Sequence, residues 1–342
     1  MNTRRKLAQR HIITAVALVA AAPILVACSG GAQPVPSVST SLGVPMAAAP
    51  LTGISYPEAS LAHASLAAKI DNHEDARPQW GLGQTDIVFE ELVEGGLTRY
   101  VAVWHSQVPA VIGPVRSIRP MDPDIITPFL GIVAYSGGQS QFVEMMRDTP
   151  VYNAIHGQAD TEAFMSRDES RDAPHNVAVT APELIAAHAD LPAPQKMFDF
   201  AGTGTSPLWW NAGATTQINV SFSDERYPTW TYDALSNTYL RSQEGDIPDF
   251  DSAGYRIHAS NVVVMMMNVD FDTYGYVPKT IMVDSGKAWI SRDGHTHEVT
   301  WSKKDRESPI VFTDEAGRVV PLLPGNTWIE MPPVDGGSVE FH

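Results

Sequence analysis

The sequence predicts an α+β protein, with a mixed α/β N-terminal domain followed by a mainly antiparallel β C-terminal domain. Three observations carry that expectation. From Leu51 to Phe200, apolar strand-like runs mix with helical stretches. Beyond residue 206, apolar or alternating segments recur about every ten residues between turn signals, as in an antiparallel sheet. A Pro-, Gly- and Thr-rich break over 191–207 separates the two textures and divides the folded part into 51–205 and 206–342.

In the first part, Asp86–Val93 and Thr98–Trp104 read as strands, with Gly95-Gly96 as the hairpin turn between them. Ile132–Tyr135 reads as a short buried strand ending at Gly137-Gly138. Residues 139–147 have helical character, and so do 181–189, where Pro182 suits a helix start. In the second part, strands are expected at 217–222, 230–240, 262–269, 279–284, 288–292, 298–301, 310–313 and 327–331. Turns are expected at 243–246, 284–286 and 292–294. Met265-Met266-Met267 reads as adaptable core filler, with a copper site as the alternative. Trp230, Trp289, Trp301 and Trp328 read as core, with sugar stacking as the alternative. Disorder is expected before about residue 50 and after Pro333.

The N-terminus has a different chemistry. Arg4, Arg5, Lys6 and Arg10 precede an apolar run, Ile12–Val26, that is too short to span a bilayer comfortably. Such a run is the core of a signal peptide, here residues 1–27. It ends in Leu25-Val26-Ala27-Cys28, which looks like a lipobox in which Cys28 is acylated. Cys28 is the single cysteine of the 342 residues, so it has no disulfide partner within the chain. Residues 28–50 are uncharged and read as a disordered tether, with a reach of about 25 Å. The expected location is extracytoplasmic, anchored to the cell membrane by the N-terminal lipid.

Loss of residues 1–27 removes four basic residues and no acid, which takes the net charge from −16 to −20. That balance argues against nucleic acid as a partner. The expected partners are the membrane, through the lipid, and a cell-wall polymer or envelope protein.

Certain words of the sequence are specific. Ile70-Asp71-Asn72-His73, Ala76-Arg77-Pro78-Gln79 and Gly81-Leu82 come first. Glu94-Gly95-Gly96-Leu97-Thr98-Arg99, Gly113-Pro114-Val115-Arg116-Ser117-Ile118-Arg119-Pro120, Arg167-Asp168-Glu169-Ser170-Arg171 and Ala173-Pro174-His175-Asn176 follow. Tyr239-Leu240-Arg241 and Pro324-Gly325-Asn326-Thr327-Trp328-Ile329 continue the series. Together they resemble the YerB-like bacterial lipoproteins, a family with a two-part domain of unknown function (DUF3048, N- and C-terminal). The resemblance covers roughly 55–332. It implies a lipoprotein with an α+β first part and a β-rich second part, and it carries no reaction.

These words concentrate polar groups at strand ends and loops, where sites are commonly built. Asn72, His73, Arg77, Arg99, Arg116, Arg119, Arg171 and Asn176 are the candidate ligand-binding residues. Arginine offers a rigid fork for carboxylate or phosphate, and wall peptides and teichoic phosphates are both anionic. The same arginines would equally form an internal network that ties loops down. The catalytic candidates are His175 as a general base near Asp71 or Glu94, with Asn176 orienting it. Ser136 as nucleophile and a glycosidase pair drawn from Asp71, Glu90, Glu91 and Glu94 are weaker alternatives. Apart from the His295-x-His297 pair beside a turn, the histidines show no close ligand spacing, so no metal and no cofactor are predicted. The leading expectation is an envelope binding or scaffold protein; a wall-polymer hydrolase or transferase is the alternative.

Overall fold

A strand that is apolar on both sides needs cover on both faces, and the central strands of this protein have it. The structure, a computed structural model, describes residues 43–202 and 213–342. The signal segment, Cys28 and residues 28–42 of the expected tether lie outside the described residues. Among the described residues no helix is long and apolar enough to cross a membrane.

Leu66–Asp71, Ile87–Leu92 and Thr98–Trp104 are buried along their whole length. They sit inside a ten-stranded sheet ordered 311–313, 295–302, 285–292, 261–265, 327–331, 87–92, 98–104, 66–71, 132–135, 152–155. Each half of the sequence supplies half of these strands, and the halves join where 327–331 pairs in parallel with 87–92. Val44–His342 is accordingly one compact unit. Strands 66–71, 132–135 and 152–155 pair in parallel, and 87–92 points the same way through two antiparallel steps across 98–104.

Alternate residues feed two cores. Phe89, Val101, Val103 and Ile329 pack with Ile118, Phe129, Phe142 and Met146. Val88, Tyr100, Trp104 and Trp328 pack with a second sheet through Ile218, Val220, Trp230 and Tyr239. Burying one such side chain stabilises by roughly 1.5–3 kcal/mol. The second sheet is antiparallel and centres on Thr229–Asp233 and Thr238–Gln243.

The first part is more strongly β than expected. The described residues hold only three short α-helices, Asp122–Ile126, Ser140–Arg147 and Ala181–Ala187. Prolines explain the shortest: Pro123 opens it and Pro128 follows its end. Leu66–Asp71 is a central strand that alternation does not reveal, because alanine favours helix and both faces are buried.

The hairpin at Gly95-Gly96 forms as expected, with Leu92 opposite Thr98. The turn at Asp293-Gly294 also forms, with φ of 51° and 70°, the positive values its tight geometry needs. The expected turn at 284–286 does not: the strand starts at Ser285, and Gly286 faces Trp301 across the sheet. Residues 230–240 form two strands rather than one.

Ordered backbone begins before residue 50. Met46–Ala48 pairs with Ser55–Pro57, and Ala49 and Leu51 are buried. The end of the chain is also structured: Ser338–Phe341 pairs with Gln217–Ser221 and closes the edge of the second sheet. Met265, Met267, Trp230, Trp301 and Trp328 are buried core, whereas Trp289 is only partly buried and packs against it.

Candidate functional site

The sheet register lines up the charged words. Asp71 lies opposite Arg99, and Arg99 lies opposite Glu91. The row sits at the carboxyl end of strands 66–71 and 87–92, where 132–135 also ends before Ser136 and 152–155 before His156. The carboxyl ends of parallel strands are the usual seat of ligand sites in open α/β sheets.

Asp71 is the centre of the cluster. One carboxylate oxygen accepts from His175 Nδ1 at 2.7 Å and lies 3.1 Å from Arg116 Nε. The other accepts from the backbone N–H of His73 at 3.1 Å. With His175 Nδ1 donating to a carboxylate, Nε2 is the nitrogen that keeps a lone pair in the neutral ring. His73 caps the short turn Glu74–Ala76, and its Nδ1 accepts from Asp75 N–H at 3.2 Å. That cap brings its ring onto His175, with centroids 4.5 Å apart and planes 25° from parallel.

Most of the arginines hold backbone. Arg171 donates to the carbonyls of Ala76 and Pro78 and lies 4.0 Å over the Trp80 ring. Arg77 donates to the Asn72 carbonyl and side chain and pairs with Glu244. Arg99 and Arg119 both donate to the Ser117 carbonyl, and Arg119 pairs with Glu94 at 2.8 Å. Arg116 donates to the Pro174 carbonyl at 3.3 Å. These bonds fasten the loops 72–78, 113–119 and 167–176 to one another.

Their crowding has an electrostatic signature. Arg99 is pushed down to about 10, first by burial and then by Arg119 and Arg116. Burial pushes the Glu94 carboxyl up, but Arg119 outweighs it and holds the group below its usual range.

Other candidates lie elsewhere. Asn72 is fully buried and donates to Thr98 and Glu90. Asn176 holds the carbonyls of Asp168 and Arg171, so it shapes the loop and makes no bond to the His175 ring. Glu90 and Glu91 are fully buried: Glu90 pairs with Arg241 at 2.7 Å, and Glu91 pairs with Lys69. Neither reaches solvent, which removes them from a glycosidase pair. His105 is buried with Nε2 on the Leu61 carbonyl.

Sequence reasoning missed Asp75, Trp80, Lys69 and Arg241. Two adjacent glutamates in an otherwise apolar strand were the available signal for buried cationic partners. Nothing in the spacing signals Asp75. Folding nevertheless brings one ligand atom each of His73, Asp75 and His175 within 4.8 Å of the others.

Residues 51–193 match the N-terminal domain of a protein of unknown function, DUF3048, and residues 218–329 match its C-terminal domain. YerB of Bacillus subtilis (strain 168), named as a lipoprotein, is 28% identical over 306 residues, spanning 85% of this chain and 88% of YerB. A crystal structure of YerB from Bacillus subtilis shares the fold with a TM-score of 0.74 at 24% identity, over 85% of this chain and 99% of that one. Both halves of the sheet and every residue of the Asp71 cluster fall within the matched regions, and the chain belongs to the DUF3048 family of YerB-like lipoproteins.

Proposed function

We propose that the protein is a lipid-anchored, extracytoplasmic envelope protein that binds an anionic wall component at the carboxyl end of its parallel strands. The name of its relative and the lipobox ending in Cys28 support the anchor. One observation carries the ligand class: Arg99, Arg116 and Arg119 gather around residues 116–119, close enough to depress Arg99. Arg116 Nη2 has no bond among the described residues, and its side chain is 21% exposed, so donor capacity remains for a carboxylate or phosphate.

The test is a titration of full-length protein, in detergent micelles, with soluble muropeptides bearing free carboxylates. Saturable binding is expected, with at least tenfold weakening in Arg116→Ala. Equal binding by that variant, or none by wild type, sinks the reading.

The 2.7 Å Asp71–His175 bond favours a second reading, acid–base chemistry on a wall polymer with His175 Nε2 as the base. Muropeptide turnover abolished by His175→Ala in a folded protein would support it; no turnover by wild type would remove it.

A further inference from the structure

We propose that His73, Asp75 and His175 form a site for one divalent metal ion of the zinc class. Each offers a ligand atom within 4.8 Å of the other two. His73 Nδ1 and Asp75 Oδ2 are 3.5 Å apart, close to the spacing of about 3.3 Å that bonds of about 2.0–2.1 Å impose in a tetrahedral site, and the 3.2 Å bond that Nδ1 accepts from the Asp75 N–H gives way when the ion takes that lone pair. Closing the widest separation, up to 4.8 Å, requires a movement of about 1.5 Å, which the His73 and Asp75 side chains, 35% and 71% exposed, are free to share.

The third ligand is already oriented. His175 spends Nδ1 on Asp71 at 2.7 Å, which leaves Nε2 for the ion. A carboxylate behind the imidazole fixes the tautomer and raises ligand basicity, the arrangement found behind most metal-bound histidines. Arg116 balances the Asp71 charge, so Asp71 supports His175 without competing as a ligand. Two imidazoles and one carboxylate suit zinc, and three protein ligands leave one position for water or an oxygen of an anionic ligand. The site stands whether or not a wall anion binds beside it.

Full-length protein in detergent micelles, stripped with a chelator and dialysed, is titrated with zinc chloride against a chromophoric competitor. One zinc per chain is expected. Asp75→Asn should weaken binding at least tenfold, and His73→Ala and His175→Ala about 100-fold. Asp71→Asn should weaken it about tenfold without removing a ligand. Asp75 is exposed, so its variant keeps the thermal unfolding of the apo protein, which separates lost ligation from lost fold. Cobalt should give visible absorption of a four-coordinate ion in wild type and not in His175→Ala. No saturable zinc binding by wild type overturns the proposal, as does equal affinity in all three ligand variants. Failure of zinc with intact muropeptide binding rejects this site alone; the reverse result rejects the anion reading alone.

Discussion

Two charged clusters share one end of the sheet, and they use the same residue types to opposite ends. Around Arg241 everything is closed. Its guanidinium donates to Glu90 at 2.7 Å and Asp249 at 2.6 Å, with Glu330 3.9 Å from Nε. Tyr100, Trp328 and Trp230 enclose it with ring centroids at 5.5, 5.0 and 6.0 Å. Burial, then Glu90, push the Glu330 carboxyl well above its usual range, against the pull of Arg241. Around Asp71 the bonds are as short, but His175 Nε2 and Arg116 Nη2 keep capacity and face partial exposure. A charge count does not mark a site. Bonding capacity left over after folding does.

The comparison breaks most visibly at Arg241. Removing it leaves three buried carboxyl groups without their cation, a loss of about 3–5 kcal/mol. Urea unfolding of Arg241→Ala should show it, while His175→Ala should cost far less. Equal costs would erase the distinction between a closed and an open cluster.

Lys69 tests the same idea on the other face. It is fully buried between Glu91 and Asp122. Burial draws its ammonium down to about 8, against the pull of Asp122. Lys69→Met should therefore fall at the low end of the same range, about 3 kcal/mol. Stability unchanged in that variant would mean that the two carboxyl groups take up protons without cost.

The clusters differ in how far the sequence reveals them. His175 was legible as the partner of Asp71 or Glu94, because all three sit in short, unusual words at strand ends, but only folding selects Asp71 and gives Glu94 to Arg119. The Gly95-Gly96 hairpin and the strands around it were legible because their alternation and turn chemistry are local. Arg241 and Lys69 were not, because their partners lie far off in sequence and meet only when two sheets stack. Leu66–Asp71 was missed for a related reason: full burial on both faces erases the alternation that identifies a strand. Asn176 misled because it follows His175 in the chain yet turns to hold carbonyls of its own loop.

The opposite end of the sheet sharpens the contrast with a buried pair that titrates. Asp86 accepts from the backbone and hydroxyl of Ser106, beside a cleft of about 290 Å³ lined by His258 and Asn326. Burial raises it from 3.8 to about 6 despite those bonds. Its contribution to stability is full below 3.8 and is lost as pH rises through 6. His105, drawn from 6.5 to about 4 by burial and then by His63, works the other way. Its contribution is full above 6.5 and is lost as pH falls through 4. Each effect is roughly 3 kcal/mol, so in wild type they nearly cancel. Relative to wild type, Asp86→Asn should gain stability as pH rises from 4 to 6.5, and His105→Gln should lose it. Urea unfolding at several pH values reads both slopes; the same sign in both variants would refute the cancellation.

The smallest effect on stability belongs to Glu94 and Arg119, whose side chains are 35% and 11% exposed. Their 2.8 Å bond is the open cluster's counterpart to Arg241–Glu90. Partial solvation should hold the coupling of this pair in a double-mutant cycle below about 1 kcal/mol. The functional consequence runs in the opposite direction. Glu94→Gln removes the carboxylate that now occupies Arg119, and the freed guanidinium adds to the positive field of Arg116. Muropeptide affinity should rise severalfold in Glu94→Gln while unfolding stays close to wild type. A loss of affinity instead would mean that Glu94 positions Arg119 for the ligand, and the carboxylate would then belong to the binding site rather than compete with its occupant.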